Sequence, residues 1–325
     1  MTVGTSPTTM ALLTLMQLEG IGRRTALKIV NGRIDDVDLE ELRSRLSSGH
    51  RNHFSKGGLL DAQRRSEDQL DQGEAIGIRA FSIYEEEYPK RLREIYDPPA
   101  VLFVKGSIDS LHAPKSLAVV GTRRPTSYGE KVAQKAAHLA SEGGFVIVSG
   151  LANGCDTYAH KGCLEAQGIG VAVLAHGLDK VYPSANRRLA EQLVETGGCL
   201  VSEYPVGMTP ARTAFAERDR IQSGLSDAVL VIETDVKGGT MHTVRFALEQ
   251  KRLIACIDHP EKWLTENKTR GNQKLIRENK VPAISNDEAL RQLLHTGVGS
   301  FNEYENLGQV KEDSDNPQGV LAFSK

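Results

Sequence analysis

The chain has 325 residues, and its 40 lysines and arginines against 42 aspartates and glutamates leave a charge of −2 at pH 7. This balance excludes a wholesale polycation, so any affinity for nucleic acid has to come from a local cluster of cations. No apolar run approaches the length of a membrane span, and Met1 to Thr9 lack the charged-then-apolar pattern of a signal segment.

In chain order, residues 11–30 predict two short helices around Leu18-Glu19-Gly20-Ile21-Gly22, with Ala26, Ile29 and Val30 forming the apolar face of the second. This is a helix-hairpin-helix pattern. Two glycines separated by an apolar residue let the backbone turn tightly and expose amides suited to a DNA phosphate. The same pattern also serves as a packing device, and glycine spacing alone leaves both readings open. Residues 31–75 are polar, with Leu39, Leu42 and Leu46 at helical spacing, so 1–75 reads as a small helical domain.

From Ser116 onward, β-branched runs alternate with amphipathic stretches: Leu117 to Val120, Phe145 to Val148, Val171 to Leu174, Leu200 to Ser202, Val229 to Ile232 and Leu253 to Ile257. This repetition predicts βαβ units and a doubly wound, mostly parallel sheet, an extended Rossmann-like α/β fold over 76–295. A helix is expected over Gly271 to Asn279, an edge strand over Val281 to Ile284, and a capped helix over Ser285 to Leu294. Residues 296–325 are polar with few apolar anchors and are expected to be a disordered tail.

In such a fold, ligands bind outside the carboxyl ends of the strands. The first strand runs into Gly121-Thr122-Arg123-Arg124-Pro125-Thr126-Ser127, where Gly121 permits close backbone approach, Thr126 caps a helix and Arg123 pairs with phosphate. It lacks the G-x-G-x-x-G fingerprint, so no nicotinamide or other cofactor is inferred. The second strand opens into Gly150-Leu151-Ala152-Asn153-Gly154-Cys155-Asp156, placing Asp156 and His160 on one helical face, a pattern that more often serves structure than acid–base chemistry. The third ends in His176-Gly177-Leu178-Asp179-Lys180-Val181-Tyr182-Pro183-Ser184-Ala185-Asn186. There a cation to follow backbone phosphate stands beside an aromatic ring to stack on a base. Further cations, Arg218 and Arg220, follow, and Gly238-Gly239-Thr240 opens another helix. So many phosphate-binding loops suit a polymer better than a single nucleotide. The four cysteines, Cys155, Cys163, Cys199 and Cys256, form no CxxC pair or zinc spacing, which points to reduced thiols in a cytoplasmic protein and no metal.

The ordered strings VVGTRRPTSYG, VSGLANGCDTYAH, GLDKVYPSANRRLA, GGCLVSEYP, RDRIQSGLSDAVLVIE and ALEQ closely resemble the DNA-processing protein A family (DprA or Smf) from about residue 75 to 292. The resemblance implies a single-stranded DNA-binding homodimer that loads a RecA-type recombinase during natural transformation, competence and DNA processing. Such a protein is a mediator rather than an enzyme. Carried over by position, Gly121, Arg123, Thr126, Lys180, Tyr182 and Asn186 would contact the strand, with Arg218 and Arg220 supporting that surface. Asp156, His160, Gly150, Gly239 and Thr240 would be structural to the crevice.

The chain departs from the family pattern in four places. Asp219 stands where an asparagine is usual, Ala216 replaces a proline, Gly238-Gly239-Thr240 replaces Ser-Gly-Ser/Thr, and Asp258-His259-Pro260 replaces Pro-Gly. Many members also carry a C-terminal winged-helix domain, for which too few residues follow Leu294. The rival reading is a nucleotide hydrolase or a small-nucleotide sensor, possibly of a defence system. A P-G-G-x-G-T-x-x-E hydrolase motif begins at Gly238-Gly239 but fails at Met241, His242 and Arg245, where a cation replaces the catalytic carboxylate.

Overall fold

Strands with an unbroken apolar run, such as Ser116–Val120, apolar from Leu117 onward, and Ala228–Val231, are stable only where both faces of a sheet are covered, and every residue of both is buried. The computed structural model describes residues 4–47, 56–278 and 281–296, together with a two-residue antiparallel pair, Val310–Lys311 with Ala322–Phe323. The rest of the expected tail lies outside the described residues.

Four helices come first: α1 (Pro7–Met16), α2 (Arg23–Val30), α3 (Leu39–Arg45) and α4 (Lys56–Glu74). Strands β1 (Ile78–Ser82) and β2 (Val101–Gly106) flank a short α5 (Lys90–Arg93). The alternating part follows as β3 (Ser116–Val120), α6 (Ser127–Glu142), β4 (Val146–Ser149), α7 (Cys155–Glu165), β5 (Gly170–Val173), α8 (Arg187–Glu195) and β6 (Cys199–Ser202). It continues as α9 (Arg212–Gly224), β7 (Ala228–Val231), α10 (Thr240–Glu249), β8 (Leu253–Ile257), α11 (Arg270–Glu278), β9 (Ala283–Ile284) and α12 (Asp287–Thr296).

The strands form one sheet in the order β1-β2-β6-β5-β4-β3-β7-β8-β9. From β6 to β9 every neighbouring pair is parallel, whereas β1 pairs with β2 and β2 with β6 antiparallel. The fold is therefore an extended Rossmann-like one. The sequence reading omits β1 and β2, because pairing β2 to β6, about a hundred residues later, is a long-range event that local pattern does not report. Strand β3 lies between β4 and β7, so the winding reverses there, and the crevice at its carboxyl end is the expected ligand position.

Alternate strand residues face opposite layers. Leu117 and Val119 pack with Ala133, Ala137 and Cys163 of α6 and α7, while Ala118 and Val120 pack with Ile221, Val244 and Leu275 of α9, α10 and α11. The N-terminal helices share one cluster with the sheet: Leu12, Leu15 and Leu59 join Val101, Phe103, Leu174, Leu193 and Leu200. They complete one face of the sheet beside α8. All four cysteines are buried, unpaired thiols.

Arginines at the start of α2 bolt it to the segment between α5 and β2. Arg23 Nε donates to Asp97 Oδ1 at 3.1 Å and Arg24 Nε donates to the same oxygen at 2.9 Å. Burial acts to raise the Asp97 carboxyl, but the bonds from Arg23 and Arg24 outweigh it and hold it down at about 2. The side chains that open the second hairpin helix are thus spent on packing.

Candidate nucleic-acid interface

The carboxyl ends of β3, β4, β5 and β7 surround a crevice with a deep and a shallow compartment. The deep one, about 610 Å³, lies over β3 and β7 and is lined by Gly121, Arg123, Asp156, Arg218, Asp219 and the Gly238–Thr240 turn. The shallow one is lined by Gly150, Asn153, His176, Tyr182 and Pro183, and it shares Arg123, Ala152, Phe215 and Arg218 with the deep one.

Its outer wall is cationic and aromatic. Arg123 is exposed and its guanidinium sits 4.7 Å over the ring of Phe215. That ring lies 6.0 Å from Tyr182, which is 52% exposed, and the Tyr182–Pro183 peptide is cis. Lys180 projects from the same loop with its side chain 65% exposed, 3.9 Å from Asp179. An arginine resting on one ring beside a second exposed ring offers phosphate pairing and base stacking together.

The floor is buried and balanced. Arg218, 5% exposed, donates from Nη1 to the carbonyl of Val173 at 3.1 Å, and its Nε lies 3.4 Å from Asp219 Oδ1. It occupies space that only glycine leaves free, since a Cβ on Gly150 would come 1.4 Å from Nη1. Gly121 is constrained likewise, with Cys155 Sγ 2.4 Å from where its Cβ would be. The Gly150 N–H donates to Asp156 Oδ2 at 3.1 Å. Burial raises the Asp156 carboxyl against the pull of Arg218, and burial raises Asp219 to about 7 with Asp156 adding to the rise. His160 is fully buried, neither ring nitrogen has a hydrogen-bond partner, and burial pushes its pKa down to about 3. Asp156 and His160 therefore do not form an acid–base pair.

Three residues expected to touch or support a bound strand turn inward instead. Thr126 is buried: its hydroxyl accepts from the Gly129 N–H at 3.0 Å as the cap of α6 and bonds Glu233, whose other oxygen takes the Thr126 N–H at 2.8 Å. Asn186 donates to the Leu151 carbonyl at 2.8 Å and to Thr157 Oγ1 at 2.9 Å, holding Leu151 at a φ of 55°. Arg220, 2% exposed, donates to both Glu203 oxygens at 2.7 and 2.6 Å and to the Asp97 carbonyl at 2.8 Å. Each is a polar group that has to be satisfied internally once buried, and none lines the crevice.

Gly239 and Thr240 line the deep compartment, Thr240 at the first turn of α10. Sequence reasoning missed Phe215, Arg212, Gln222 and Lys268, all of which line the deep compartment. Phe215 lies one turn before Arg218 on α9, a spacing that signals a shared face. For Lys268, ahead of α11, no local signal exists.

A family model described as DNA recombination-mediator protein A matches residues 79–294. The chain belongs to that family. It is 38% identical over 206 residues to Protein Smf of Escherichia coli (strain K12), covering 63% of this chain and 54% of the relative. It is 39% identical over 181 residues to the DNA processing protein DprA of Bacillus subtilis (strain 168), covering 56% of this chain and 61% of the relative. The chain thus spans little more than half the length of these two curated relatives. Among solved structures, DNA processing protein A of Streptococcus pneumoniae superposes with a TM-score of 0.73 at 28% identity, over 88% of this chain and 98% of that one. DNA processing protein A of Helicobacter pylori, solved for its single-stranded DNA binding mode, gives 0.59 at 27% identity, over 68% and 95%. Among the described residues no helix is long and apolar enough to cross a membrane.

Proposed function

We propose that this chain binds single-stranded DNA along the crevice, as a homodimeric, cytoplasmic mediator that delivers the strand to a RecA-type recombinase in DNA uptake and processing. The observation that carries this reading is the outer wall: Arg123 stacked on Phe215 with Tyr182 exposed beside it, and Lys180 exposed on the Tyr182 loop although it lines neither compartment. Sequence-tolerant strand binding needs cations interleaved with open aromatic faces, and this wall supplies both. The H. pylori relative, solved for its single-stranded DNA binding mode, supports the choice of ligand. Gly121, Arg123, Lys180 and Tyr182 contact the strand in this reading, Arg218 supports it from below, and Thr126, Asn186 and Arg220 hold the loops in place.

The chain acts by binding, not catalysis. At the position where a related hydrolase motif carries its carboxylate, Arg245 is turned to Glu249 at 3.7 Å and lies outside the compartment. Fluorescence anisotropy with oligonucleotides of increasing length, across a range of salt concentrations, tests the proposal. Affinity is expected to grow with length and fall steeply with salt, whereas no binding at low salt would end it.

A further inference from the structure

The loop that carries Arg123 is tied at both ends to a single residue. Thr122 donates its N–H to the backbone carbonyl of Glu233 at 2.8 Å, and Thr126 donates its N–H to Glu233 Oε2, also at 2.8 Å. The Thr126 hydroxyl bonds the other carboxylate oxygen. Arg123, Arg124 and Pro125 span the gap between these two anchors. Glu233 comes two residues after β7, the strand paired with β3, and the Ile232 N–H donates to the Val120 carbonyl at 2.9 Å. The β3–β7 ladder thus runs on into the loop, and the Glu233 side chain extends it to Thr126.

The carboxylate itself has little freedom. Glu233 is fully buried, and a Cβ on Gly129, in the first turn of α6, would come 2.4 Å from its Cδ. His259, its side chain buried too, brings Nε2 to 3.6 Å from Glu233 Oε1, and its ring meets that of Tyr128 edge-on with centroids 5.7 Å apart. Among the described residues no lysine or arginine nitrogen lies within 4.0 Å of the carboxylate. Burial acts to raise the Glu233 carboxyl, but His259 and the Thr126 bonds outweigh it and hold it below the usual carboxylate range. The group is therefore ionised, and both oxygens accept. A buried carboxylate with no arginine or lysine partner is a poor way to stabilise a core, where a hydrophobic side chain of similar size often does as well. What it adds is a pair of acceptors that fixes the loop in one conformation.

We propose that Glu233 is a positioning residue for strand binding: by gripping Thr122 and Thr126 it presents Arg123 to phosphate in a single loop conformation. The inference rests on the single-strand reading and names what holds the cation of its outer wall. Holding the loop before a ligand arrives removes an ordering cost from binding.

Glu233→Asp and Glu233→Gln separate reach from charge. Glu233→Asp keeps the charge but draws it back from Thr126, whereas Glu233→Gln keeps the reach, able to accept from the Thr126 N–H and donate to its hydroxyl. Hydrogen exchange of the Thr126 amide, followed by NMR without ligand, reads the grip. Anisotropy with a single-stranded oligonucleotide across salt concentrations reads its consequence. In Glu233→Asp the amide is expected to exchange faster and affinity to fall about tenfold, the scale of one hydrogen bond to a charged group. The slope of log K against log salt should flatten by about 0.7, one phosphate contact on a single strand. Glu233→Gln should stay close to wild type in all three. In an Arg123→Ala background Glu233→Asp should change neither affinity nor slope further, because both act through the same contact. Equal losses in the two backgrounds, an unchanged Thr126 exchange rate, or faster exchange with unaltered affinity and slope would each overturn the inference and leave the single-strand reading standing. No binding by the wild-type protein at low salt would instead end that reading, and this role with it.

Discussion

Arg218 lies against the bare Cα of Gly150, in space that any side chain at that position would fill. The arginine is one of four residues that border both compartments, and its place depends on the absence of a methyl group at position 150. Gly150→Ala should therefore displace Arg218, destabilising the fold by about 1–3 kcal/mol through overpacking and weakening single-stranded DNA binding as well. Urea unfolding and anisotropy read the two effects. In the double variant Gly150→Ala/Arg218→Ala the alanine should cost less stability than it does alone, and strict additivity would count against the contact.

The outer wall makes separable electrostatic and stacking predictions. Arg123→Ala and Lys180→Ala should each reduce the slope of log K against log salt by about 0.7, the contribution of one phosphate contact on a single strand. Tyr182→Ala should cost about 1–3 kcal/mol with no change in slope, and Tyr182→Phe should cost little, since the ring rather than the hydroxyl does the stacking. An unchanged slope on removing either cation would take it out of the interface.

Arg220→Ala should behave differently from Arg123→Ala. Its side chain is 3% exposed and that of its partner Glu203 is 7% exposed, so removing it leaves a buried carboxylate with only Arg23, 4.0 Å away, to offset its charge. A loss of about 3–5 kcal/mol in unfolding free energy is expected, without a reduced salt slope in whatever folded protein remains. A fully stable variant with a shallower slope would put Arg220 back at the strand.

Asp219 should make the proposed strand binding sensitive to pH. Its folded-state carboxyl titrates at about 7 instead of 3.8, because burial and the neighbouring Asp156 outweigh Arg218. Below that value it is mostly neutral. As pH rises through about 7 a negative charge develops beside Arg123 and Arg218 and opposes phosphate, so affinity should fall between about pH 6 and pH 8. The stability linkage has the same sign: a raised folded pKa gives a contribution present below the unfolded value and lost as pH rises through the folded one. Asp219→Asn should flatten the affinity profile and raise stability on the alkaline side, and a wild-type profile in that variant would assign the titration elsewhere.

Much of the architecture is legible in the chain itself. Six β-branched runs separated by amphipathic stretches specify a parallel sheet with two covered faces, because residues apolar at every position have nowhere else to go. Glycine at 121 and 150, each at the end of a strand, marks the loops that form the crevice, since close approach there tolerates no side chain. Which cations face the crevice is a different matter. Arg218 and Arg220 are two residues apart on one helix, so they point about 200° from each other. One lines the compartment, while the other finds Asp97 and Glu203, brought together from the lead-in to β2 and the end of β6. Nothing in the string Arg-Asp-Arg says which is which. That choice, like the arrival of Lys268 at the rim and the antiparallel addition of β1 and β2 to the sheet, depends on contacts between residues far apart in sequence. Local propensity and spacing determined the elements and the crevice, and tertiary packing decided which charges remain available to a ligand.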